Sequence, residues 1–119
     1  MPFNWREYLA LAEHVQGQSG LGFGQEAAGR CAVSRVYYAA FCYARNQASA
    51  RYGFVPSRTG DDHAALRQHL RDHKRYREAR WLDQLRGWRN QCDYDDDVAN
   101  LSHLTASALR QATDVIHTL

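Results

Sequence analysis

Residues 88 to 98 read WRNQCDYDDDV, and the residue types gathered there could hold a phosphate. Arg89 offers a planar fork of donors that suits phosphate oxygens. Asn90 adds an amide, and Asp93 and Tyr94 bring a carboxylate and a phenol within the next turn. On a helical wheel Arg89 lies at the edge of the stripe that contains Leu85, with Asp93 one turn farther along the same side, so the two can pair at i, i+4. A helix end locked by its own ion pair fits these residues as well as an anion site does. Asp95, Asp96 and Asp97 suit the start of a following helix, where carboxylates accept backbone N–H groups and meet the positive end of the dipole.

A basic run surrounds this stretch. Arg67, Arg71, Lys74, Arg75, Arg77, Arg80, Arg86 and Arg89 place eight basic residues in 23 positions, against Asp72, Glu78 and Asp83, although the formal net charge is only +2. Such a local excess can attract nucleic acid or simply solvate a helix face. His69 and His73 have the i, i+4 spacing that lets two imidazoles share a metal, with Asp62 or Asp72 as a further ligand, but no H-E-x-x-H accompanies them. The glycines of QGQSGLGFGQ, residues 16 to 25, lack both a P-loop Lys and a complete G-x-G-x-x-G, so they read as a helix connection. The sequence calls for no metal and no cofactor. Cys31, Cys42 and Cys92 lie far apart without a C-x-x-C and read as reduced, partly buried thiols.

The elements that must position these residues are all helical. Apolar residues recur with helical period along most of the chain, and sustained alternation is absent, which predicts an all-α fold. Trp5, Tyr8, Leu9, Ala12 and Val15 share one face of a first helix opened by Asn4 as N-cap. A second helix spans residues 26 to 52. Its positions Val33, Tyr37, Ala40, Phe41, Ala44 and Ala48 form one packing face, and Cys31, Val36, Ala39, Cys42 and Tyr43 make much of the remainder apolar, so it should sit at the centre. Within it Ser34 and Arg35 need partners, an internal hydrogen bond and an ion pair, if they are buried. Gly53, Pro56 and Gly60 mark a linker before a short third helix over 62–73. The fourth, over 76–93, places Trp81, Leu85, Trp88 and Cys92 on its core face, and the last, over 98–117, turns Val98, Leu101, Leu104, Ala108, Ala112, Val115 and Leu119 inward. An up-and-down bundle of four main helices and a short one is expected.

With 119 residues, 45% of them apolar and 24% charged, the chain suits one domain over 1–119, and its mean hydropathy of -0.64 is that of a soluble protein. The start MPFNWREYLALAEHV has Glu7 and Glu13 inside its apolar pattern, unlike a signal peptide, and no segment is apolar enough to span a bilayer. A cytoplasmic location without membrane contact is expected.

CAVSRVYYAAFCYAR at 31–45, followed by Gly53, His63 and LRGWRNQCDYD at 85–95, resembles the HEPN family, helical domains of higher eukaryotes and prokaryotes that are often paired with nucleotidyltransferases. The similarity runs from the first helix to the last and rests on S-R-x-Y-Y-A-x-F joined to a downstream R-x-x-x-D-Y. The resemblance implies a helical bundle that forms a homodimer, and for many members a metal-independent ribonuclease in toxin, antiviral or RNA-processing systems. Arg89 then stands at the Arg of the family's R-x4-6-H signature and Asn90 at its adjacent polar position, with Asp93 beside them. Ser34, Arg35 and Tyr38 become neighbours that contact RNA or nucleotide, two such clusters in a dimer would form one groove, and a His is expected near position 63, against the second helix.

The chain departs from the signature in one respect: four residues separate Arg89 from Tyr94, giving R-x4-Y with no His. Cleavage by a ribose 2′-hydroxyl needs both proton transfer and stabilisation of charge on the phosphate. Arg can supply the second, but a phenol with a reference pKa of about 10 is a poor base at neutral pH. Two functions are therefore expected as alternatives. One is an RNA- or nucleotide-binding protein of a toxin–antitoxin or defence system with Arg89, Tyr94, Asn90 and Asp93 as catalytic candidates. The other is a non-catalytic subunit that partners a minimal nucleotidyltransferase, with Tyr94 as the residue modified.

Overall fold

A helix that is apolar around most of its circumference has to be enclosed by the others. The computed structural model describes residues 3–18, 20 and 22–119. It contains α1 (Arg6–Val15), α2 (Gln25–Tyr52), α3 (Asp62–Asp72), α4 (Tyr76–Tyr94) and α5 (Leu101–Thr118). Among the described residues there is no strand, only an isolated bridge between Gly20 and Phe23 in the α1–α2 connection. Ser19 and Leu21 of the same connection, like Met1 and Pro2 before α1, lie outside the described residues. No described helix is long and apolar enough to cross a membrane.

The molecule is an all-α bundle, and α2 is its axis. Its 28 residues rise about 42 Å at 1.5 Å each, close to the 44 Å long dimension of the molecule. All four other helices pack on it. Val33, Tyr37, Ala40, Phe41, Ala44 and Ala48 are buried on one side, and Ala32, Val36, Ala39 and Cys42 on the others. Cys31 is exposed, so the apolar circumference is interrupted at that point. The many alanines keep α2 slender enough for neighbours to approach, and the bulk of the core comes from Leu66 and Leu70 of α3, Leu82 and Leu85 of α4, and Leu104 and Val115 of α5. Trp81 and Trp88 are half-buried at the edge of this core, as is Val98, which precedes α5 rather than belonging to it. At 10 and 11 residues, α1 and α3 are the two short members.

The element ends explain how the site is held. Asn4 acts as expected at the start of α1: its Oδ1 accepts the Arg6 N–H at 3.2 Å. α2 stops at Gly53, whose left-handed φ of 71° an L-side chain would resist, and the N–H of buried Phe54 reaches back to Ala48 O at 3.1 Å. Asp95, Asp96 and Asp97 do not cap α5, because α5 begins only at Leu101, after Asn100 in a left-handed conformation. They sit instead just past the C-terminus of α4, where the helix dipole opposes negative charge.

Arg30 of α2 offsets that conflict. Its Nη1 donates to Cys92 O at 3.2 Å and Asp95 O at 2.5 Å, its Nη2 donates to Asp96 O at 2.9 Å, and the same nitrogen pairs with Glu26 at 3.2 Å. One guanidinium thereby satisfies carbonyls that the end of α4 leaves open and fixes the turn that carries Asp93 and Tyr94. Hydrogen bonds from a charged donor contribute more than neutral ones. Arg30→Ala is expected to destabilise the fold by about 2 kcal/mol in urea unfolding, with the largest NMR shifts between Cys92 and Asp97; a change confined to α2 would mean that Arg30 does not hold this turn.

Candidate functional site

Arg89 projects from the last turns of α4 toward α2, where its guanidinium meets aromatic rings. The guanidinium carbon lies 5.3 Å from the centroid of Tyr38, 5.9 Å from that of Tyr94 and 6.0 Å from that of Tyr37. Such faces attract a cation without neutralising it. The expected i, i+4 pair is made: Arg89 Nε lies 2.9 Å from Asp93 Oδ2, though the N–H points out of line and the contact is an ion pair rather than a well-formed hydrogen bond. Arg89 Nη1 donates to Asn90 Oδ1 at 3.0 Å. Nη2 has no hydrogen-bond partner among the described residues. With its side chain 18% exposed, Arg89 is held by its flanks and keeps one donor edge uncommitted.

The other sequence candidates join this cluster through contacts. Arg35, one turn before Tyr38 on α2, sets its guanidinium 5.5 Å from the Tyr38 centroid and 5.4 Å from that of Tyr8 on α1. The expected ion pair for Arg35 is not made: among the described residues it has no carboxylate within 4.0 Å, and two aromatic faces take that place. Its Nη2 donates to Ser34 Oγ at 3.3 Å, so Ser34, 7% exposed, is a buried acceptor that steadies Arg35 rather than a surface contact for RNA. Tyr94 is 72% exposed, beside the Arg89 fork. The structure thus brings together Arg35, Tyr38, Arg89, Asn90, Asp93 and Tyr94, with Ser34 behind them.

Tyr37 and His63 complete the arrangement. Tyr37, assigned to the core face, is buried, and its hydroxyl hydrogen-bonds His63 Nδ1 across the α2–α3 interface. His63 stacks on Phe41 at 4.2 Å between centroids and therefore packs against the second helix. Burial raises the Tyr37 hydroxyl far above the usual phenol range, opposed by Arg67, Arg86 and Arg89. Tyr37 thus keeps its proton, and its hydroxyl and His63 Nδ1 share one hydrogen bond whose donor is set by the His63 tautomer. The sequence signal was the phenol itself, since a Tyr on a buried stripe needs a partner for its hydroxyl.

His63 is in turn placed by Asp62, the first residue of α3. Asp62 Oδ1 accepts Ser57 N–H at 2.8 Å and Ser57 Oγ at 2.6 Å, while Oδ2 accepts Arg58 N–H at 2.9 Å. The Ser57 hydroxyl, then these backbone donors, hold the carboxyl below the usual carboxylate range despite its burial. His69 and His73 are committed to the backbone: His69 Nε2 donates to Tyr52 O at 2.7 Å and His73 Nδ1 to His69 O at 2.9 Å. The described residues contain no group of three metal-ligating side chains. A depression of about 750 Å³, lined in part by Glu13, Glu26 and Thr105, does not include Arg89, and its carboxylates disfavour an anion.

No family model matches this chain, and neither a curated protein nor a solved structure does. The arrangement can nevertheless be read chemically. Four guanidiniums, from Arg35, Arg67, Arg86 and Arg89, bear on a pair of adjacent tyrosines and a histidine. Of these, Arg67 is paired with Asp83 at 3.5 Å and Arg89 with Asp93, which leaves an excess of positive charge over α2 and α4.

That charge acts on His63. Burial, then Arg86, Arg89 and Arg67, push its pKa below 6.5, with Asp62 opposing. The folded protein therefore disfavours imidazolium. As pH falls through 6.5, the unfolded chain takes up the proton first, so the His63 contribution to stability is complete above 6.5 and declines from there toward the lower folded pKa. In urea unfolding between pH 5 and 8, the stability difference between wild type and His63→Gln should be largest above about pH 6.5 and shrink below it; a pH-independent difference would contradict the assignment of a neutral His63.

Proposed function

We propose that this chain is a HEPN-like domain that binds RNA or nucleotide through Arg89, in a toxin–antitoxin or defence setting. The observation that carries this reading is the uncommitted Nη2 edge of Arg89, oriented by Asp93 and Asn90 and framed by Tyr38 and Tyr94. A guanidinium whose flanks are already tied offers phosphate a preorganised donor. Exposed Tyr94 can stack on an unpaired base while Arg89 holds the adjacent phosphate, the pairing of contacts that single-stranded nucleic acid favours. Arg35 and Arg86 add charge on either side.

Metal-independent cleavage would use the same group: Arg89 would stabilise charge on the phosphate while the 2′-hydroxyl attacks, and Tyr94 stands where the signature has its proton-transferring residue. In the homodimer that the resemblance implies, two Arg89 clusters would line one groove. A second reading is favoured by the 72% exposure of Tyr94. As a freely accessible phenol at the motif, it would be an acceptor for nucleotide transfer by a partner nucleotidyltransferase, and a nucleotide adduct on Tyr94 in mass spectra of the co-expressed pair would support that role.

The test is anisotropy of a labelled single-stranded RNA with wild type, Arg89→Ala and Tyr94→Phe, alongside cleavage without metal and analysis of product ends. Arg89→Ala is expected to weaken binding about tenfold, the loss of one charge-assisted phosphate contact worth about 1.4 kcal/mol. Wild-type affinity should fall as salt rises. Products with cyclic phosphate ends that disappear with Arg89→Ala would establish a nuclease. Equal RNA affinity in wild type and Arg89→Ala would exclude Arg89 as the phosphate site.

A further inference from the structure

A depression of about 470 Å³ lies between the C-terminal half of α2 and the loop that enters α3. Phe41, Pro56 and His63 give it an apolar, partly aromatic lining, and Arg45, Asn46, Ser49 and Arg58 bring polar groups to it. Arg89 does not line it. We propose that this depression binds a phosphate monoester carrying a planar ring, such as a mononucleotide, independently of the Arg89 cluster.

The donors are arranged for a dianion. Among the described residues neither Arg45 nor Arg58 has a carboxylate within 4.0 Å, in contrast to Arg89, whose charge Asp93 offsets. Arg45 is positioned by the Trp5 ring, 5.8 Å from its guanidinium carbon, and by two hydrogen bonds of 3.2 Å from Nε and Nη2 to Asn46 Oδ1. Because Asn46 accepts from Arg45 through its carbonyl oxygen, its amide nitrogen is left as a donor. Two unneutralised guanidiniums match the charge of a monoester, and the fork geometry suits its oxygens.

The loop that carries Arg58 is preformed. Arg58 itself has a φ of 64°, a left-handed conformation that L-residues resist. It is kept there by Asp62, the one carboxylate among the residues lining the depression, which accepts two hydrogen bonds from Ser57 and one from the Arg58 N–H. This conformation sets the Arg58 side chain at the edge of the depression. Asp62 thus lowers the ordering cost of binding while its lone pairs are turned to the loop. Phe41 and His63, stacked on each other, both line the depression and give the attached ring an aromatic wall.

The variant that separates side-chain function from fold is Arg58→Gly. Glycine accepts a φ of 64° without strain, so this change removes the guanidinium while leaving the melting temperature equal or higher. Calorimetric titration of full-length wild type with 5′-AMP, inorganic phosphate and adenosine should show AMP binding most tightly, phosphate more weakly and adenosine least. Arg58→Gly and Arg45→Gln should each weaken AMP at least tenfold, whereas Arg77→Gln, which removes an arginine from the face of Trp81, should leave it within twofold of wild type. Absence of AMP binding to wild type, or unchanged AMP affinity in the stably folded Arg58→Gly, would overturn the proposal. Loss of AMP binding in Arg89→Ala but not in Arg58→Gly would place the ligand at the Arg89 cluster and equally overturn it.

Discussion

The fold depends on the enclosure of α2. Because this helix is buried on nearly every side, each polar group it carries must be served by a neighbouring helix or lose its hydration uncompensated. Tyr37 is served by His63 of α3, and Arg35 by the faces of Tyr8 and Tyr38 and by Ser34. Arg30, near the other end, serves the last carbonyls of α4. The polar residues of α2 therefore tie α1, α3 and α4 to one rod, while its alanines supply the close approach that lets those ties form. The register of the neighbouring helices follows from these few pairings as much as from apolar burial.

The same enclosure makes the electrostatics around Arg89 unusual. Guanidiniums at the α2–α4 seam are oriented chiefly by aromatic rings, which orient a cation while leaving its charge uncancelled. Asp93 offsets one of them, and Asp83 another. Burial, with these arginines, disfavours the charged form of His63, and the remaining excess favours an anion at the surface. Tyr37 and Tyr38, adjacent in sequence, divide the work: one phenol faces inward to the histidine, and the other ring lies between Arg35 and Arg89.

His63 touches two chemically different neighbourhoods: the tyrosine pair with its arginines, and the depression beside the loop of Ser57 to Gly60, drawn tight by Asp62. Asp62 is buried and ionised, yet it has a structural role, since its lone pairs are spent on that loop. Cys42 and Cys92 are inert for a related reason, burial raising both thiols above their usual range.

The sequence by itself determined the helical class, the central place of α2 and the limits of α2 and α4 to within a residue, because those follow from the period of apolar residues and from breakers such as Gly53 and Pro56. It also determined the Arg89–Asp93 pair, a contact within one helix whose geometry is fixed by 3.6 residues per turn. What the tertiary structure decided was every partnership between helices. Arg35 met rings rather than a carboxylate, Asp95 to Asp97 ended one helix instead of starting the next, and Tyr37 found His63 across a seam. Periodicity specifies which face of a helix is buried, but not which residue of another helix arrives there, since that depends on rotations and offsets set by the packing of the whole core.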